Sequence, residues 1–379
     1  MASLASFIKR VRKKSSFCQK NTNPLRFGCL GAARIAPDAL LQPALYHEDV
    51  IVVAVAARSA QRATTFGKQW GIAKTYGGPD AYERLVNDPD VDAIYNPLPN
   101  SLHFEWTLKA LAAGKHVLCE KPMADTAEEA RAMFNLAEEK GLILLEAWQP
   151  QFHPAIHRVK AIVDEGLLGK IVSLHAYIGV WGWLFFIKND IRFNYDLGGG
   201  ALMDMGPYPI NLMRYITSSS PTVERSFAIT RSQDIDRLTD TDLIYGENIP
   251  AKMVLDSDMD GWGPFNLLPR MPKTVLRITC ERGTVEIHNF VLPHIWHSIT
   301  VIPKNGHSWT EKAYKPTEGR GEEWWSAYRF QLEAFVDKVR GRDPRCWRTP
   351  EESIDEMRII DEIYTKAGLP LRPQSDFSL

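Results

Sequence analysis

The sequence contains no apolar run long enough to cross a membrane, no surplus of either charge, and no closely spaced cysteines. The longest apolar stretch of its second half, Val180 to Ile187, is far shorter than the roughly 20 residues of a spanning helix, and its tryptophans favour a pocket wall or a subunit contact. Lysine and arginine number 45 against 46 aspartate and glutamate, which argues against nucleic acid as a partner. Five scattered cysteines without a CxxC pair indicate a reduced compartment, so a cytoplasmic location is predicted.

Acidic residues are also absent from the first 23 residues, where six basic residues stand: Lys9, Arg10, Arg12, Lys13, Lys14 and Lys20. This composition is typical of a mitochondrial presequence, but also of a short basic tail that packs against the body of the protein. We therefore predict a separate basic segment at residues 1–23 and leave a mitochondrial location open.

A glycine turn is the first positive signal. Gly28 to Ala36 follows the apolar run Leu25 to Leu30 and precedes a helical pattern from Ile35 to Leu45. In this setting such a turn cradles the pyrophosphate of a dinucleotide, because glycines admit a close backbone approach and the helix N-terminus offers N–H groups. Two glycines alone also fit an ordinary strand-to-helix turn. The residues predicted to contact the cofactor here are Gly28, Gly31, Ala32, Ala33, Arg34 and Ile35.

Strand and helix patterns alternate through the first half of the chain. Val50–Ala57, a run of β-branched residues and alanine, suits a strand buried on both faces. Further strands are predicted at Val91–Tyr95, Lys115–Cys119 and Leu142–Leu145, with amphipathic helices at Ala60–Gln69, Phe104–Ala113 and Thr126–Lys140. The alternation predicts an α/β fold, a Rossmann domain with a doubly wound parallel sheet at residues 24–148.

The end of the second strand indicates which dinucleotide binds. NAD-binding domains usually carry a carboxylate there, whereas this chain has Arg58, Ser59 and Arg62. A guanidinium group pairs with a 2′-phosphate, which a carboxylate would repel, so NADP is predicted, with NAD as an alternative. The arginines could equally be solvated at the start of a surface helix, or Arg58 could stack on the adenine.

Two loops after the fourth and fifth strands are expected to border the nicotinamide. One contains Pro97, Leu98, Asn100 and His103, and the other contains Glu120 and Lys121. Ligands of doubly wound sheets bind outside the carboxyl ends of the strands, and a lysine that loses solvation there acquires a lower pKa, suited to proton transfer. Without this context, a lysine at a strand end is usually a surface charge.

After Glu146 the strand patterns recur with turns rather than helices between them. Strands are predicted at Ile171–Gly179, Thr222–Ile229, Ala251–Leu255, Val275–Thr279 and Thr284–Ile287, and helices at Pro154–Glu165, Trp325–Arg340 and Pro350–Ala367. Together they predict an α+β domain over residues 149–379.

Four motifs together resemble the glucose-fructose oxidoreductase, inositol dehydrogenase and MocA family. They are the turn at Gly28–Ala36, the element P-N-x-x-H at Pro99–His103, the block A-G-K-H-V-L-x-E-K-P at Ala113–Pro122, and the segment Leu197–Tyr208. The resemblance covers nearly the whole chain from Leu25 onward. It implies a Rossmann domain followed by a domain with a large, mostly antiparallel sheet, whose open face forms the contact of a homo-oligomer, most simply a dimer.

Matching positions imply roles for single residues. Lys121 matches the catalytic lysine of the family, Asp204 its aspartate, and Tyr208 the position of its histidine or tyrosine. A spacing of four would place Asp204 and Tyr208 on one face of a helix, unless Pro207 and Pro209 delay the start of that helix to Gly206 and separate the two side chains. A buried structural tyrosine is the alternative for Tyr208.

Within the family, Glu146 to Pro154 resembles the matching stretch of dimeric dihydrodiol dehydrogenases and fungal NADP-dependent xylose dehydrogenases, although Gln149 and Gln151 replace the usual Thr-Arg. The resemblance implies NADP-dependent oxidation of a sugar hydroxyl at C1, as in D-xylose, to a lactone, with Lys121 and Tyr208 as the acid–base pair. The substrate-binding residues would be His103, Trp148, Arg192, Asp204 and Tyr208.

Other functions remain open on the same fold: oxidation of a trans-dihydrodiol, reduction of a keto sugar, or dinucleotide sensing by a regulator without catalysis. His153 and His157 stand four residues apart but lack a third ligand, so no metal is expected.

Overall fold

The computed structural model describes residues 18–181, 190–232, 234–263, 266, 268 and 270–379. Most of the predicted basic tail, residues 1–17, lies outside them, as does most of the apolar stretch Val180 to Ile187. The described chain forms two compact units. The parallel-sheet unit contains the chain through Phe152 with Trp324–Ile354 and Gln374–Leu379, and the mixed-sheet unit contains His153–Glu323 with Asp355–Pro373.

A six-stranded parallel sheet in the order β3-β2-β1-β4-β5-β6 forms the parallel-sheet unit. Its strands are β1 (Leu25–Leu30), β2 (Val50–Ala57), β3 (Lys74–Gly77), β4 (Ala93–Asn96), β5 (His116–Glu120) and β6 (Leu144–Ala147). Its first helices are a π-helical turn at Pro37–Leu41 that continues into α1 (Gln42–Leu45), then α2 (Ala60–Trp70), α3 (Ala81–Val86), α4 (His103–Ala112) and α5 (Ala127–Glu139). This strand order confirms the predicted Rossmann fold.

The mixed-sheet unit contains an eight-stranded sheet in the order β14-β13-β12-β11-β7-β10-β9-β8. Its strands are β7 (Ile171–Trp181), β8 (Pro221–Ser232), β9 (Ile235–Tyr245), β10 (Ile249–Met259), β11 (Lys273–Cys280), β12 (Gly283–His288), β13 (Ser298–Pro303) and β14 (Trp309–Glu311). β7 and β10 pair in parallel, and the other neighbours are antiparallel, as predicted. The helices of this unit include α6 (Pro154–Asp164), α7 (Ala201–Met205) and α8 (Pro207–Thr217). Assembly through the sheet stays a prediction.

One helix of the parallel-sheet unit comes from much later in the chain. α9 (Ala327–Val339) packs Phe330 and Phe335 into the core that contains Phe27 of β1, with the rings of Phe27 and Phe335 5.6 Å apart. Burial of such a side chain contributes about 1.5–3 kcal/mol, which accounts for the return of the chain to the sheet. The predicted boundary at residues 148–149 is close to Phe152, but the sequence does not indicate this return.

The last helix, α10 (Pro350–Lys366), begins at Pro350 with Glu351 and Glu352 in its first turn, where acidic side chains are favourable. No helix in the described part of the chain combines the length and apolar character that crossing a membrane requires.

Candidate active site

The glycine turn lies at the carboxyl end of β1. Gly31 has a φ of +87°, a left-handed conformation that favours glycine, and its N–H donates to the carbonyl of Ala56 in β2 at 2.7 Å. Within the described chain, the backbone N–H groups of Ala32, Ala33 and Arg34 have no protein acceptor. These donors at the start of a helix suit an anion such as a pyrophosphate.

Gly28 has a different role from the one that the sequence suggests. It lies inside β1, where an added Cβ would come within 2.7 Å of Leu85 on α3 and 3.2 Å of Val91. Gly28 therefore permits close packing of α3 against the sheet, and the turn itself is made by Gly31.

Exposed basic side chains gather beside the turn, at the carboxyl end of β2. Ser59 caps α2 by accepting a hydrogen bond from the N–H of Arg62 at 3.3 Å, and the guanidinium of Arg62 donates to the carbonyl of Ala32 at 3.2 Å. Arg58 lies near the hydroxyl of Tyr82, where its charge acts to lower the pKa of that phenol. Two guanidinium groups thus flank the turn, an arrangement that suits a 2′-phosphate.

Tyr82 lies beside these arginines, and its place there is not predicted from the sequence. It is 9% exposed, and an added Cβ on Gly31 would lie 4.0 Å from its hydroxyl. Burial raises the pKa of this phenol, while Arg58 and Arg62 act in the opposite direction. The signal that could have found it is the turn sequence Gly78-Pro79-Asp80, which separates β3 from α3.

His103 joins the loops that follow β4 and β5. Its ring nitrogens lie 2.9 Å from the carbonyl oxygens of Leu98 and Pro122, and its side chain is fully buried. Burial lowers the pKa of His103, against the opposing effect of both hydrogen bonds. Leu98 in turn lies 3.3 Å from the position of a Cβ on Gly31, so the first loop borders the glycine turn. Backbone carbonyl groups thus engage both ring nitrogens, and the contact of His103 with substrate stays a prediction.

We expect His103→Leu to weaken dinucleotide binding and to lower the free energy of unfolding, because the buried carbonyl that loses its N–H donor costs about 1–3 kcal/mol. Fluorescence titration with the dinucleotide and urea unfolding measure the two effects. His288→Leu, at a partly exposed position in the mixed-sheet unit, is the control. A raised KM for substrate with unchanged dinucleotide affinity and stability would instead assign His103 to the substrate.

Lys121 directly follows β5 and is half-buried. The preceding Glu120 accepts a hydrogen bond from the buried hydroxyl of Tyr95 at 2.7 Å, and burial raises the pKa of this carboxyl. The Lys121–Pro122 peptide bond is cis. Because β2, β1, β4 and β5 are consecutive in the parallel sheet, the arginines, the glycine turn, His103 and Lys121 lie along one edge of it.

Trp148 lies in the core at the end of β6. Its side chain is 1% exposed, and the guanidinium of Arg348 lies 5.7 Å from its ring centre. Arg348 also donates to Glu146 at 2.8 Å, and both of these side chains are at most 1% exposed. The indole of Trp148 therefore packs against a buried ion pair, and its contact with substrate stays a prediction.

Arg192 and Asp204 form an ion pair in the mixed-sheet unit. The Nε of Arg192 donates to Asp204 at 3.1 Å, and its Nη1 donates to Asp190 at 3.1 Å. Asp204, and secondarily Asp190, raise the pKa of the guanidinium against the effect of burial. The pair offers both donors and acceptors to a polyhydroxylated ligand. A small pocket opens beside it, lined by Arg192, Phe193, Gly200, Ala201, Asp204, Met205 and Ser257.

Asp204 and Tyr208 stand on either side of Gly206. The alternative that a helix begins only near Gly206 is wrong, because α7 begins at Ala201 and Gly206 is itself helical, with φ −57° and ψ −41°. Pro207 and Pro209 fall in the first turn of α8, where a missing N–H breaks no intrahelical bond. The backbone stays helical from Asp204 to Tyr208, so the spacing of four places both side chains on one side.

The two histidines near the start of α6 have structural partners. His153 accepts a hydrogen bond from the N–H of Ala155 at 3.2 Å, and the Nδ1 of His157 lies 2.8 Å from the hydroxyl of Tyr215. Among the residues that the structure describes, no three His, Cys, Asp or Glu side chains form a group that could hold a metal ion.

Comparison with known proteins assigns both halves of the chain. Residues 25–147 match the model of the GFO_IDH_MocA oxidoreductase family with its NAD-binding Rossmann fold, and residues 156–286 match a GFO/IDH/MocA C-terminal domain.

Three relatives illustrate the match. The D-xylose 1-dehydrogenase (NADP(+)) 2 of Haloferax volcanii is 32% identical over 349 residues, which are 90% of this chain and 97% of the relative. The trans-1,2-dihydrobenzene-1,2-diol dehydrogenase of Mus musculus is 35% identical over 194 residues, 51% of this chain and 56% of the relative. The crystal structure of KijD10, a 3-ketoreductase from Actinomadura kijaniata in complex with NADP and TDP-benzene, superposes with a TM-score of 0.76 at 26% identity and covers 90% of this chain and 98% of that chain. The protein therefore belongs to the GFO/IDH/MocA family of oxidoreductases.

Proposed function

We propose that the protein is an NADP-dependent dehydrogenase that oxidises the C1 hydroxyl of an aldopyranose such as D-xylose to a lactone. The main support is the alignment of nearly its whole length with a D-xylose 1-dehydrogenase (NADP(+)). Arg58 and Arg62 beside the glycine turn support the choice of dinucleotide. Bound NADP would supply the acceptor for the hydride that leaves C1.

The dinucleotide would lie along the edge of the parallel sheet. The N–H groups of Ala32, Ala33 and Arg34 would bind its pyrophosphate, since no described protein group accepts from them. The 2′-phosphate would pair with the guanidinium groups of Arg58 and Arg62 and accept a hydrogen bond from the hydroxyl of Ser59. The nicotinamide half would border Pro97, Leu98, Asn100, Glu120 and Lys121.

The acid–base pair of the proposal is Lys121 with Tyr208. Tyr208 would take the proton of the C1 hydroxyl, and the ammonium group of Lys121 would favour the phenolate form of the tyrosine. Lys121 belongs to the parallel-sheet unit and Tyr208 to the mixed-sheet unit. Their pairing is therefore part of the proposal. Asp204 would accept a hydrogen bond from one sugar hydroxyl, and Arg192 would donate to another.

We expect Arg58→Ala to lower kcat/KM for NADP about tenfold to a hundredfold, the equivalent of one charge-assisted hydrogen bond of about 1.5–3 kcal/mol. The kcat/KM for NAD should stay the same, because NAD has no 2′-phosphate. Initial rates with each dinucleotide at saturating sugar give the ratio of kcat/KM for NADP to kcat/KM for NAD. Arg131→Ala, at an exposed position on α5, is the matched control. A wild-type preference for NAD would contradict the assignment.

The substrate is tested by following NADPH formation across aldoses, inositols and trans-dihydrodiols, with NAD in parallel, and NADPH consumption with keto sugars. Best turnover of an aldose with a lactone product is expected. Best turnover of a dihydrodiol or a keto sugar would replace the proposed substrate. Tight NADP binding without turnover of any of these compounds would favour a dinucleotide-sensing regulator.

A further inference from the structure

A buried aspartate on β9 caps the helix that carries Asp204. α7 begins after Gly200, which has no side chain to accept hydrogen bonds from the first N–H groups of the helix. Asp236 of β9 supplies that acceptor: its Oδ2 accepts from the N–H of Leu202 at 2.7 Å and from the hydroxyl of Thr239 at 3.1 Å. The Asp236 side chain is fully buried. The short helix thus depends on a strand distant in sequence for its first turn.

Gly200 has to be glycine for this arrangement. Its φ of +137° lies in the region that favours glycine. An added Cβ would come within 2.7 Å of the Tyr364 hydroxyl and 2.9 Å of the Arg372 guanidinium, and closer still to Asp236. A residue with its own capping side chain therefore cannot stand here.

The second oxygen of Asp236 pairs with Arg372 from the end of the chain. The Nη2 of Arg372 lies 3.2 Å from Oδ1, which also accepts from the hydroxyl of Tyr364 at 3.0 Å. The Arg372 side chain is fully buried, with its guanidinium 4.1 Å from the ring centre of Tyr364 and 5.0 Å from that of Tyr195. Its Nη1 donates to the carbonyl of Asp234 at 3.0 Å, so the guanidinium is bound on several sides.

This network reaches both members of the ion pair in the pocket. The N–H of Asp204 donates to the carbonyl of Gly200 at 3.0 Å, and the N–H of Gly200 donates to the carbonyl of Arg192 at 2.9 Å. Tyr195, which stacks on Arg372, follows Arg192 by three residues. Asp236 and Arg372 do not themselves line the pocket. They contact the backbone and the rings that hold its two charged residues in place.

We propose that Asp236 and Arg372 are positioning residues that fix the geometry of the Arg192–Asp204 pair for the bound sugar. The identity of the ligand rests on the proposed function. The mechanism is preorganisation: a carboxylate and a guanidinium bind a sugar hydroxyl well only when their relative position is already set, and a displacement of about 1 Å can cost on the order of a hundredfold in rate.

The test compares Asp236→Asn, which keeps an oxygen for Leu202 but removes the charge opposite Arg372, with Tyr364→Phe, which removes one hydroxyl. We expect Asp236→Asn to raise the KM for sugar about tenfold or more, with a smaller change in kcat and an NADP dissociation constant within about twofold of wild type. Amide hydrogen exchange should accelerate at residues 201–206 in both variants. Tyr76→Phe, which removes a 2.8 Å tyrosine–aspartate hydrogen bond in the parallel-sheet unit, is the matched control.

A double-mutant cycle separates positioning from general stability. In an Asp204→Asn background, Asp236→Asn should have little further effect on KM, because it acts through Asp204. Full additivity, or unchanged KM and unchanged exchange in both single variants, would overturn the proposal. If Asp236→Asn does not fold, Tyr364→Phe decides by the same measurements. If the wild type oxidises no sugar, the proposed function fails, and the exchange at residues 201–206 still tests the positioning.

Discussion

Replacing Lys121 with methionine is expected to lower kcat for sugar oxidation on the order of a thousandfold, within the range that general acid–base groups contribute. Methionine has a similar length and keeps the packing of the half-buried side chain, but it carries neither a charge nor a transferable proton. In the proposed mechanism the ammonium group favours the phenolate form of Tyr208, so its loss would slow proton transfer from the sugar hydroxyl. Single-turnover formation of NADPH measures the step directly.

The dinucleotide affinity of the Lys121→Met variant should remain close to that of the wild type, because the pyrophosphate and the 2′-phosphate are assigned to the glycine turn and to Arg58 and Arg62. Equilibrium titration with NADP measures this affinity. Lys140→Met is the control, since Lys140 is an exposed lysine whose ammonium lies 3.5 Å from Glu139 on the surface. Turnover of Lys121→Met above a tenth of the wild-type rate would contradict the catalytic assignment.

Tyr208→Phe is expected to lower kcat about 10²- to 10⁴-fold, because it removes the proposed proton acceptor and keeps the aromatic ring. The helical backbone through Gly206 should leave Asp204 in place, so the KM for sugar should change less than kcat. A sugar deuterated at C1 provides a second measurement. Its isotope effect on kcat should increase in the variant, since a slower chemical step limits the rate more completely than in the wild type.

Tyr215→Phe on the same helix is the matched control, because it also removes a tyrosine hydroxyl, one that lies 2.8 Å from His157. It should lower stability by about 1 kcal/mol and leave kcat unchanged. If Lys121 and Tyr208 act as one unit, the double variant should be only slightly slower than the slower single variant. If the fold-reductions in kcat of the two single variants instead multiply in the double variant, Lys121 and Tyr208 have separate roles.

The strands of the parallel sheet are predictable because their burial leaves a local signal. The run Val50–Ala57 is apolar throughout and coincides with β2. β9 is not predicted, because Asp236, Asp240 and Asp242 are unfavourable in strands. In the fold these three aspartates have cross-strand or buried partners: Asp240 pairs with Lys252 at 3.1 Å, Asp242 with Arg225 at 2.8 Å, and Asp236 with Arg372. Partners of this kind depend on register and on distant segments, which no local pattern records.

The candidate site likewise contains some features that a local sequence pattern predicts and others that depend on the tertiary fold. The positions of Gly31, Arg58 and Lys121 at the carboxyl ends of strands are predictable, because each directly follows a local strand pattern. The surroundings of His103 and Trp148 are not, because burial and a carbonyl partner are tertiary properties. Gly28 is correctly recognised as a required glycine, but its reason, the approach of Leu85, comes from a helix that the sequence does not predict.

The return of α9 to the parallel sheet sets an order of assembly during synthesis. When the ribosome has completed Phe152, all six strands of the parallel sheet have been made, but the helix that covers Phe27 has not. The nascent chain must then carry an uncovered aromatic surface until residue 339 has emerged, and such surfaces are the ones that chaperones bind. The mixed-sheet unit has its complete eight-stranded sheet earlier, at Glu311. Its own core is completed only by α10, whose buried Met357, Ile360 and Ile363 belong to that unit, so both units wait for helices made near the end of synthesis.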